Sequence, residues 1–470
     1  MKVAFHTLGC KVNSYETQAM LEQFARHGFE TVDFSEAADV YVINTCSVTQ
    51  MAEHKSRQML HRAKKLSPGA LIVATGCYAQ RDAENIIKDS AVDMVIGNNH
   101  KSEIAGIVLK KLGGSGKIAG TNPAEGPDCA AQRTAAAFEA GSSSDHSGCK
   151  DEKAFAGHDG ILVSDLSRCR DFEDQSICDL RRNIRAWVKI QDGCDRFCSY
   201  CIIPYVRGRS RCRDVSDIIN EVTALARRGF KEAVLTGIDI SAFPDIAGLI
   251  ERVSGIAGIE RIRLGSIEEH MITPDFISRV KNCEKFCPHF HLSLQSGCDA
   301  TLKRMNRRYT AAQYLEQVDE IRANFKDPGI TTDMIVGFPG ESDEEFAQTC
   351  DFVTRAAFTQ AHIFKFSPRE GTKAAKMPDQ VPGRIKDERS AVLTELTDRL
   401  AVSFRESLIG RTHQILAEEK INIAGREYFC GFTKEYVKMA VPDEGTDLVN
   451  KIAEITPAGF VQVDSEVLLV

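Results

Sequence analysis

Strand-like and helix-like stretches alternate twice along this chain, and few folds accommodate that rhythm. VAFHTLG (3–9), VYVINT (40–45), ALIVATG (70–76) and VDMVIG (92–97) are short β-branched runs. Helical stretches from Tyr15 to His27, Thr49 to Leu66 and Gln80 to Lys88 separate them. Buried strands joined by helices pair side by side, so the pattern predicts a parallel, doubly wound sheet. A second alternation begins near Arg185: AWVKIQDG (186–193), EAVLTGID (232–239), IRLGSIE (262–268), HFHLSLQSG (289–297), ITTDMIVGF (330–338) and AHIFKFS (361–367). Helical segments such as Ser216 to Arg228, Ala311 to Asn324 and Glu344 to Ala356 lie between most of them. A closed barrel of this kind needs eight units, so six predict a partial, open (β/α)6 barrel. A long helix from about Gly383 to Leu408 completes it.

Between the two alternations, residues 113–180 are small, polar and aperiodic, which reads as a linker or insertion. GGSGK (113–117) lacks the earlier glycine of a phosphate loop and is set aside. HQILAEE, YFCGFTKEYVKMAV and FVQVDSEVLLV, separated by Gly, Pro and Asp turns, predict a small antiparallel β-barrel at the C-terminus. The expected domains are therefore 1–112, an irregular 113–180, 181–408 and 409–470. No apolar run approaches the ~20 residues of a membrane span. The first residues lack the pattern of a secretory signal, so the expected location is the cytoplasm.

Sixteen cysteines in a reducing compartment call for metal binding, catalysis or packing rather than disulfides. Cys10 follows the first strand, Cys46 the second and Cys77 the third. Parallel strands end along one edge, where open α/β sheets bind ligands, so these three thiols are expected to converge. Cys194, Cys198 and Cys201 form a C-x3-C-x2-C pattern directly after the first barrel strand. A structural zinc site takes four ligands, and none of the nearby IIPY residues supplies a fourth. Three thiolates on a four-iron cube leave one iron open to bind and activate a small molecule.

That motif, with Tyr200 before the last cysteine, resembles the radical S-adenosylmethionine (SAM) enzymes. TLGCKVNSYETQ (7–18), INTCSVT (43–49), ATGCYAQ (74–80), PHFHLSLQSGCDATLKRMNRRYT (288–310) and TDMIVGFPGE (332–341) are together similar to the methylthiotransferases of that superfamily. The resemblance implies two 4Fe-4S clusters, one on Cys194, Cys198 and Cys201 and one on Cys10, Cys46 and Cys77, each with an open iron. The first would bind SAM and generate a 5′-deoxyadenosyl radical, and the second would hold or donate sulfur. A second SAM would methylate that sulfur. The C-terminal barrel resembles the family's TRAM module, associated with RNA. LGCKVN-x-YET (8–17) is similar to the branch that thiomethylates C2 of the adenine of N6-threonylcarbamoyladenosine beside the tRNA anticodon. Ser14 stands where glutamine is frequent in that branch. Partners so implied are tRNA and a one-electron donor such as flavodoxin or ferredoxin.

Candidate SAM contacts are Gly237, Asp239, Ser293, Gln295, Asp333 and Gly337, each with an alternative reading as barrel core or turn. The VGFPGE turn in particular suits a geometric role. Arg207, Arg209, Arg211 and Arg213 alternate, so in an extended segment they would face one side, toward tRNA phosphates. Arg304, Arg307 and Arg308 are candidates for the same task. The region Arg181 to Arg213 carries nine Lys or Arg against two Asp, although the whole chain has a net charge of −7. The C-terminal segment is itself acidic, ten carboxylates to six Lys or Arg, which argues against a strongly phosphate-driven surface and leaves a structural cap as an alternative reading. Cys283, Cys287, His289 and His291 form a weaker candidate for zinc. Cys212, Cys298, Cys350 and Cys430 read as packing residues, and Cys129, Cys149, Cys169 and Cys178 as incidental. Alternatives are the same chemistry on isopentenyladenosine or on a ribosomal-protein aspartate, and, in another class, a non-catalytic iron–sulfur carrier with an RNA-binding tail.

Overall fold

The computed structural model describes residues 1–113, 160–173, 175, 177, 184–463 and 466–470. They form two compact units. The first comprises Met1–Leu180, Asp192–Asp195 and Ile202–Arg213, and the second Arg181–Gln191, Arg196–Cys201 and Asp214–Val470. Cys129, Cys149, Cys178 and nearly all of GGSGK fall outside the described residues.

The first unit is a parallel sheet. Its strands are β1 (Lys2–Thr7), β2 (Glu30–Val32), β3 (Val40–Thr45), β4 (Leu71–Gly76), β5 (Met94–Ile96) and β6 (Ile161–Leu162), in the order β2-β1-β3-β4-β5-β6. All six residues of β3 are buried because the sheet is covered on both faces. Val40 and Val42 pack with Met20 and Phe24 of helix α1 (Lys11–Arg26). Tyr41 and Ile43 pack with Leu60 and Ala63 of α2 (Gln50–Leu66) on the opposite face. Each such aliphatic side chain contributes roughly 1.5–3 kcal/mol of burial. Thr49 caps α2, its hydroxyl accepting from the Ala52 N–H at 3.1 Å.

Strand β6 corrects the expectation that residues 113–180 are irregular throughout. Ile161–Leu162 adds to β5, Gln80 donates to the Ser164 carbonyl, and the His100 ring meets the Ser164 hydroxyl. A two-residue strand carries no periodicity, so only its pairing exposes it.

The second unit holds six parallel βα repeats, as predicted. Two short strands, β8 (Gln191–Asp192) and β9 (Arg211–Cys212), form a sheet of their own; Asp192, Arg211 and Cys212 belong to the first unit. The barrel strands are β7 (Arg185–Lys189), β10 (Glu232–Thr236), β11 (Arg261–Leu264) with β12 (Ser266–Ile267), β13 (His289–Leu292), β14 (Gly329–Val336) and β15 (Gln360–Lys365). The third strand breaks at Gly265: β11 pairs with β10, whereas β12 pairs with β13. Helices include Val215–Arg227, Ala311–Asn324 and Asp343–Ala356, with Thr310–Gln313 and Ser342–Glu345 capping boxes starting the last two. Ile246–Ser254 and Pro274–Val280 are short helices that the periodicity did not reveal.

The C-terminal strands correct a second expectation. β16 (His413–Ile423), β17 (Arg426–Thr433), β18 (Lys438–Pro442), β19 (Ile452–Ile455), β20 (Phe460–Val463) and β21 (Glu466–Leu469) form one mixed sheet, in the order β19-β16-β17-β18-β21-β20. The pairing of β18 with β21 is parallel, so the sheet is not wholly antiparallel. The turn between β17 and β18 sits against the first residues of the barrel strands. Arg261 donates to the Phe432 and Gln414 carbonyls, and Arg263 to those of Thr433 and Lys434. Tyr436 stacks on His289 and Phe432, with Arg185 and Arg263 over its ring. Glu232, almost wholly buried, receives Arg263, and that cation holds its carboxyl below the usual range against the cost of burial.

Candidate active site

In the first unit, the strand order places a crossover between β1 and β3, and Cys10 and Cys46 follow those two strands. Cys77 begins the short helix α3 (Cys77–Arg81) after β4. Two side chains lace the three loops. Asn13 donates to the Leu8 carbonyl at 2.7 Å and to the Thr45 carbonyl at 3.1 Å, and accepts Arg207 at 2.7 Å. The Thr45 hydroxyl donates to the Thr75 carbonyl at 2.5 Å and accepts the Ala79 N–H. Gly9 sits at φ +106°, and a Cβ there would lie 3.0 Å from the Cys46 Sγ, so glycine permits the close approach of these loops.

The electrostatics are those of three mutually interacting thiols beside a buried cation. Burial pushes the Cys46 thiol up to about 12, against a hydrogen bond from the Val48 N–H. Cys10 presents exposed area at the surface, yet surrounding protein atoms are the largest factor raising its thiol. The Asn13 N–H and the charge of Arg207 oppose that rise. Metal ions displace such protons, and the donors aimed at sulfur then face thiolate. Three thiols with no histidine or carboxylate among them fit iron–sulfur ligation. Among the described residues no three His, Cys, Asp or Glu converge as a single-ion site. A cube binds each thiolate through a different iron, so its ligands stand farther apart than around one ion.

Arg207 overturns its expected role. It is fully buried, donating to Glu16 Oε1 at 2.8 Å and to Asp192 Oδ1 at 3.0 Å, while Lys101 pairs with the other oxygen of Glu16. Arg211 and Arg213 are also buried, so these three guanidiniums do not face solvent phosphates. The segment is not one extended strand: Ile203–Val206 is helical and only Arg211–Cys212 is strand. Arg209 alone is partly exposed, paired with Asp195 at 3.1 Å. Sequence reasoning missed the Asn13–Glu16–Lys101 network. Its signal was present, since Asn13, Glu16 and Thr17 recur at the helical spacing of the buried face of α1.

Cys194 belongs to the same unit, its N–H donating to the Gly208 carbonyl at 3.1 Å. Gly193 before it, at φ +70°, runs so close to Arg209 that a Cβ would lie 1.9 Å from that carbonyl oxygen. In the second unit, the Cys201 N–H donates to the Cys198 carbonyl, and Phe197 adopts φ +52°. Such backbone strain persists where surrounding bonds enforce it: Asn306 donates to the Phe197 carbonyl and the Ser199 hydroxyl to that of Arg304. Arg307 Nη1 lies 3.4 Å from the Cys198 Sγ.

The candidate SAM residues divide. Asp239, Ser293 and Gln295 follow the C-terminal ends of β10 and β13. Asp239 accepts from Arg196 at 2.9 Å, and Gln295 holds φ +69° while exchanging backbone bonds with β14. Gly237 packs on Gln191, where a Cβ would come within 2.9 Å of the backbone oxygen. Gly337 donates to Glu341, itself bound by Arg389, so the VGFPGE turn is held by an internal ion pair. Asp333 lies within β14 rather than at its end, 3.3 Å from the His291 ring. His289 and His291 both contact the Thr331 hydroxyl, and among the described residues no metal-holding group includes them. Arg307 is buried against Glu268, which removes it from the phosphate role; Arg304 pairs with Glu345 but stays partly exposed, and Arg308 is exposed. Cys298 and Cys430 are buried, in keeping with packing.

Residues 2–97 match the model of the uncharacterized protein family UPF0004, and residues 188–353 that of the radical SAM superfamily. Over 96% of its length the chain is 34% identical to the threonylcarbamoyladenosine tRNA methylthiotransferase MtaB of Bacillus subtilis, covering 93% of that protein. It is 36% identical to the protein of the same name from Aquifex aeolicus, over 91% of this chain and 95% of the relative. The tRNA-2-methylthio-N(6)-dimethylallyladenosine synthase of Acetivibrio thermocellus is 33% identical over 91% of this chain and 83% of its own. A radical SAM methyltransferase, TsrM from Kitasatospora setae, shares the fold at a TM-score of 0.54 and 14% identity, over 80% of this chain and 77% of that one. SAM and a 4Fe-4S cluster are the cofactors of this superfamily. Motifs, fold and relatives agree: the chain belongs to the radical SAM tRNA methylthiotransferases.

Proposed function

We propose that this chain thiomethylates C2 of the adenine of N6-threonylcarbamoyladenosine beside the tRNA anticodon, with two 4Fe-4S clusters and two SAM per product. Cys194, Cys198 and Cys201 would hold one cluster, and Cys10, Cys46 and Cys77 the other. The observation that carries the second assignment is the convergence of three thiols from separate βα loops beside buried Arg207. The choice of nucleoside is supported by relatives named for threonylcarbamoyladenosine.

When bound, the clusters and SAM supply one-electron chemistry able to break an unactivated C–H bond, together with the sulfur and methyl group that replace hydrogen. The chain's own residues orient and enclose. Asn13 and Thr45 hold the three N-terminal loops in register. Arg207 places a positive charge beside them, fixed by Glu16 and Asp192. Asp239, Ser293 and Gln295 form the rim of the barrel where SAM would lie, and the internal ion pair beneath Gly337 shapes that rim. A flavodoxin or ferredoxin would supply electrons, and the cytoplasm, where tRNA is modified, is the expected location. Among the described residues no helix is long and apolar enough to cross a membrane.

Nucleoside mass spectrometry of tRNA from cells with and without the gene tests the reading. Loss of the 2-methylthio form of N6-threonylcarbamoyladenosine is expected. Loss of the methylthio form of isopentenyladenosine instead would favour the second reading, motivated by the Acetivibrio thermocellus relative. Formation of 5′-deoxyadenosine from SAM and dithionite excludes a passive iron–sulfur carrier.

A further inference from the structure

Arg307 occupies a position that its neighbours enforce. Its side chain is almost wholly buried, 4% exposed. One nitrogen reaches the Cys198 Sγ at 3.4 Å. Another pairs with Glu268 and donates to the Ser293 carbonyl at 2.9 Å. Nε meets the Tyr309 hydroxyl at 3.1 Å, and that hydroxyl is in turn tied to the Ser293 and Leu294 carbonyls. Glu268 lies 3.8 Å from Arg196, which binds Asp239 at 2.9 Å. A continuous polar chain therefore runs from a cysteine of the C-x3-C-x2-C loop to the ends of three barrel strands. A small pocket beside it is lined by Cys198, Arg196, Arg307 and Asn306.

We infer that Arg307 is a positioning residue that sets the reduction potential of the cluster on Cys194, Cys198 and Cys201. The inference rests on the proposed ligation by those cysteines. Reduction adds one electron, supplied by a low-potential one-electron donor, and breaks no bond; part of the added negative charge falls on the thiolate sulfurs. A cationic N–H donor aimed at one of them stabilises the reduced form more than the oxidised form, raising the potential. Glu268 and Tyr309 hold the guanidinium so that this bond is kept in both states. Lysine lacks the planar fork that serves sulfur, carboxylate, hydroxyl and carbonyl together.

The test is an EPR-monitored redox titration of the anaerobically reconstituted full chain, following the signal that added SAM perturbs. Arg307→Gln is expected to assemble with unchanged iron content and to be about tenfold harder to reduce, ~59 mV lower for a one-electron couple. Arg307→Lys should fall between it and the unsubstituted protein. Glu268→Gln, which leaves Arg307 in place but less firmly anchored, should move the potential the same way by a smaller amount. Lys303→Gln, at an exposed position outside the pocket lining, should leave it unchanged. A reduction equilibrium constant within twofold of the original in both Arg307 variants, with full iron and a SAM-sensitive signal, would overturn the inference. So would a loss of iron or thermal stability in these variants without a shift in potential, which marks a merely structural role. A SAM-sensitive signal missing from the unsubstituted protein would instead overturn the ligand assignment itself.

Discussion

The two cysteine trios would reach comparable chemistry, in the reading proposed above, by opposite routes. Cys194, Cys198 and Cys201 sit on one short loop, where Gly193 and the positive φ of Phe197 bend the backbone. Cys10, Cys46 and Cys77 come from three loops that only the parallel sheet brings together. Each trio has a buried arginine, yet the two are used differently. Arg307 touches the Cys198 sulfur, whereas Arg207 binds Asn13, Glu16 and Asp192 and acts on the thiols through its charge. The local trio is secured by backbone turns, and the distributed one by side-chain networks in a sheet core.

The sharpest break between them is chemical. Cys198→Ala is expected to reduce 5′-deoxyadenosine formation to background, while Cys46→Ala keeps it and loses the methylthio product, both read by mass spectrometry. Full thiomethylation by the Cys46 variant would refute the distributed site. Next in size is Arg207→Met, which leaves Glu16 and Asp192 buried with less compensation. Breaking a buried pair in this way costs about 3–5 kcal/mol, visible as a lower denaturation midpoint. Glu232→Gln, under the barrel, should weaken the second unit by a similar or smaller amount.

The same carboxyl sharpens the comparison through pH. Its folded value is depressed by Arg263, so its contribution is present above the unfolded value, near 4.5, and is lost as pH falls through the folded one. Acid titration of the Gln variant should therefore be flatter below that pH than that of the original protein. The smallest effects are steric. Gly9→Ala, with the Cys46 sulfur at 3.0 Å, should cost about 1–3 kcal/mol. Gly28→Ala has a positive φ and open space, and should cost only about 1–2 kcal/mol. Equal losses at the two glycines would show that loop approach at Cys46 is not tight.

Legibility followed the range of the interaction. The C-x3-C-x2-C spacing, the six βα repeats and the convergence of the N-terminal strand ends could be read directly, because each is a local pattern or a rule of parallel sheets. The arginines could not. Alternation from Arg207 to Arg213 suggested a solvent-facing row, but burial was decided by Glu16, Asn13 and Asp192, which lie far away or across a turn in sequence. Arg307 went astray in the same way, since its partner Glu268 belongs to another repeat. Strand β6 is too short to carry periodicity, and the parallel β18–β21 pairing depends on register that composition does not encode.

The hairpin turn seated against the strand starts gives the barrel a floor. Arg261, Arg263 and His289, or residues stacked on them, hold that turn against the strand starts, so among the described residues this end of the barrel is occupied. If SAM lies at the strand C-termini as proposed, it would have to arrive and depart from that opposite end. A macromolecular substrate docked across the rim would then act as a stopper, and successive guests would have to queue for its departure.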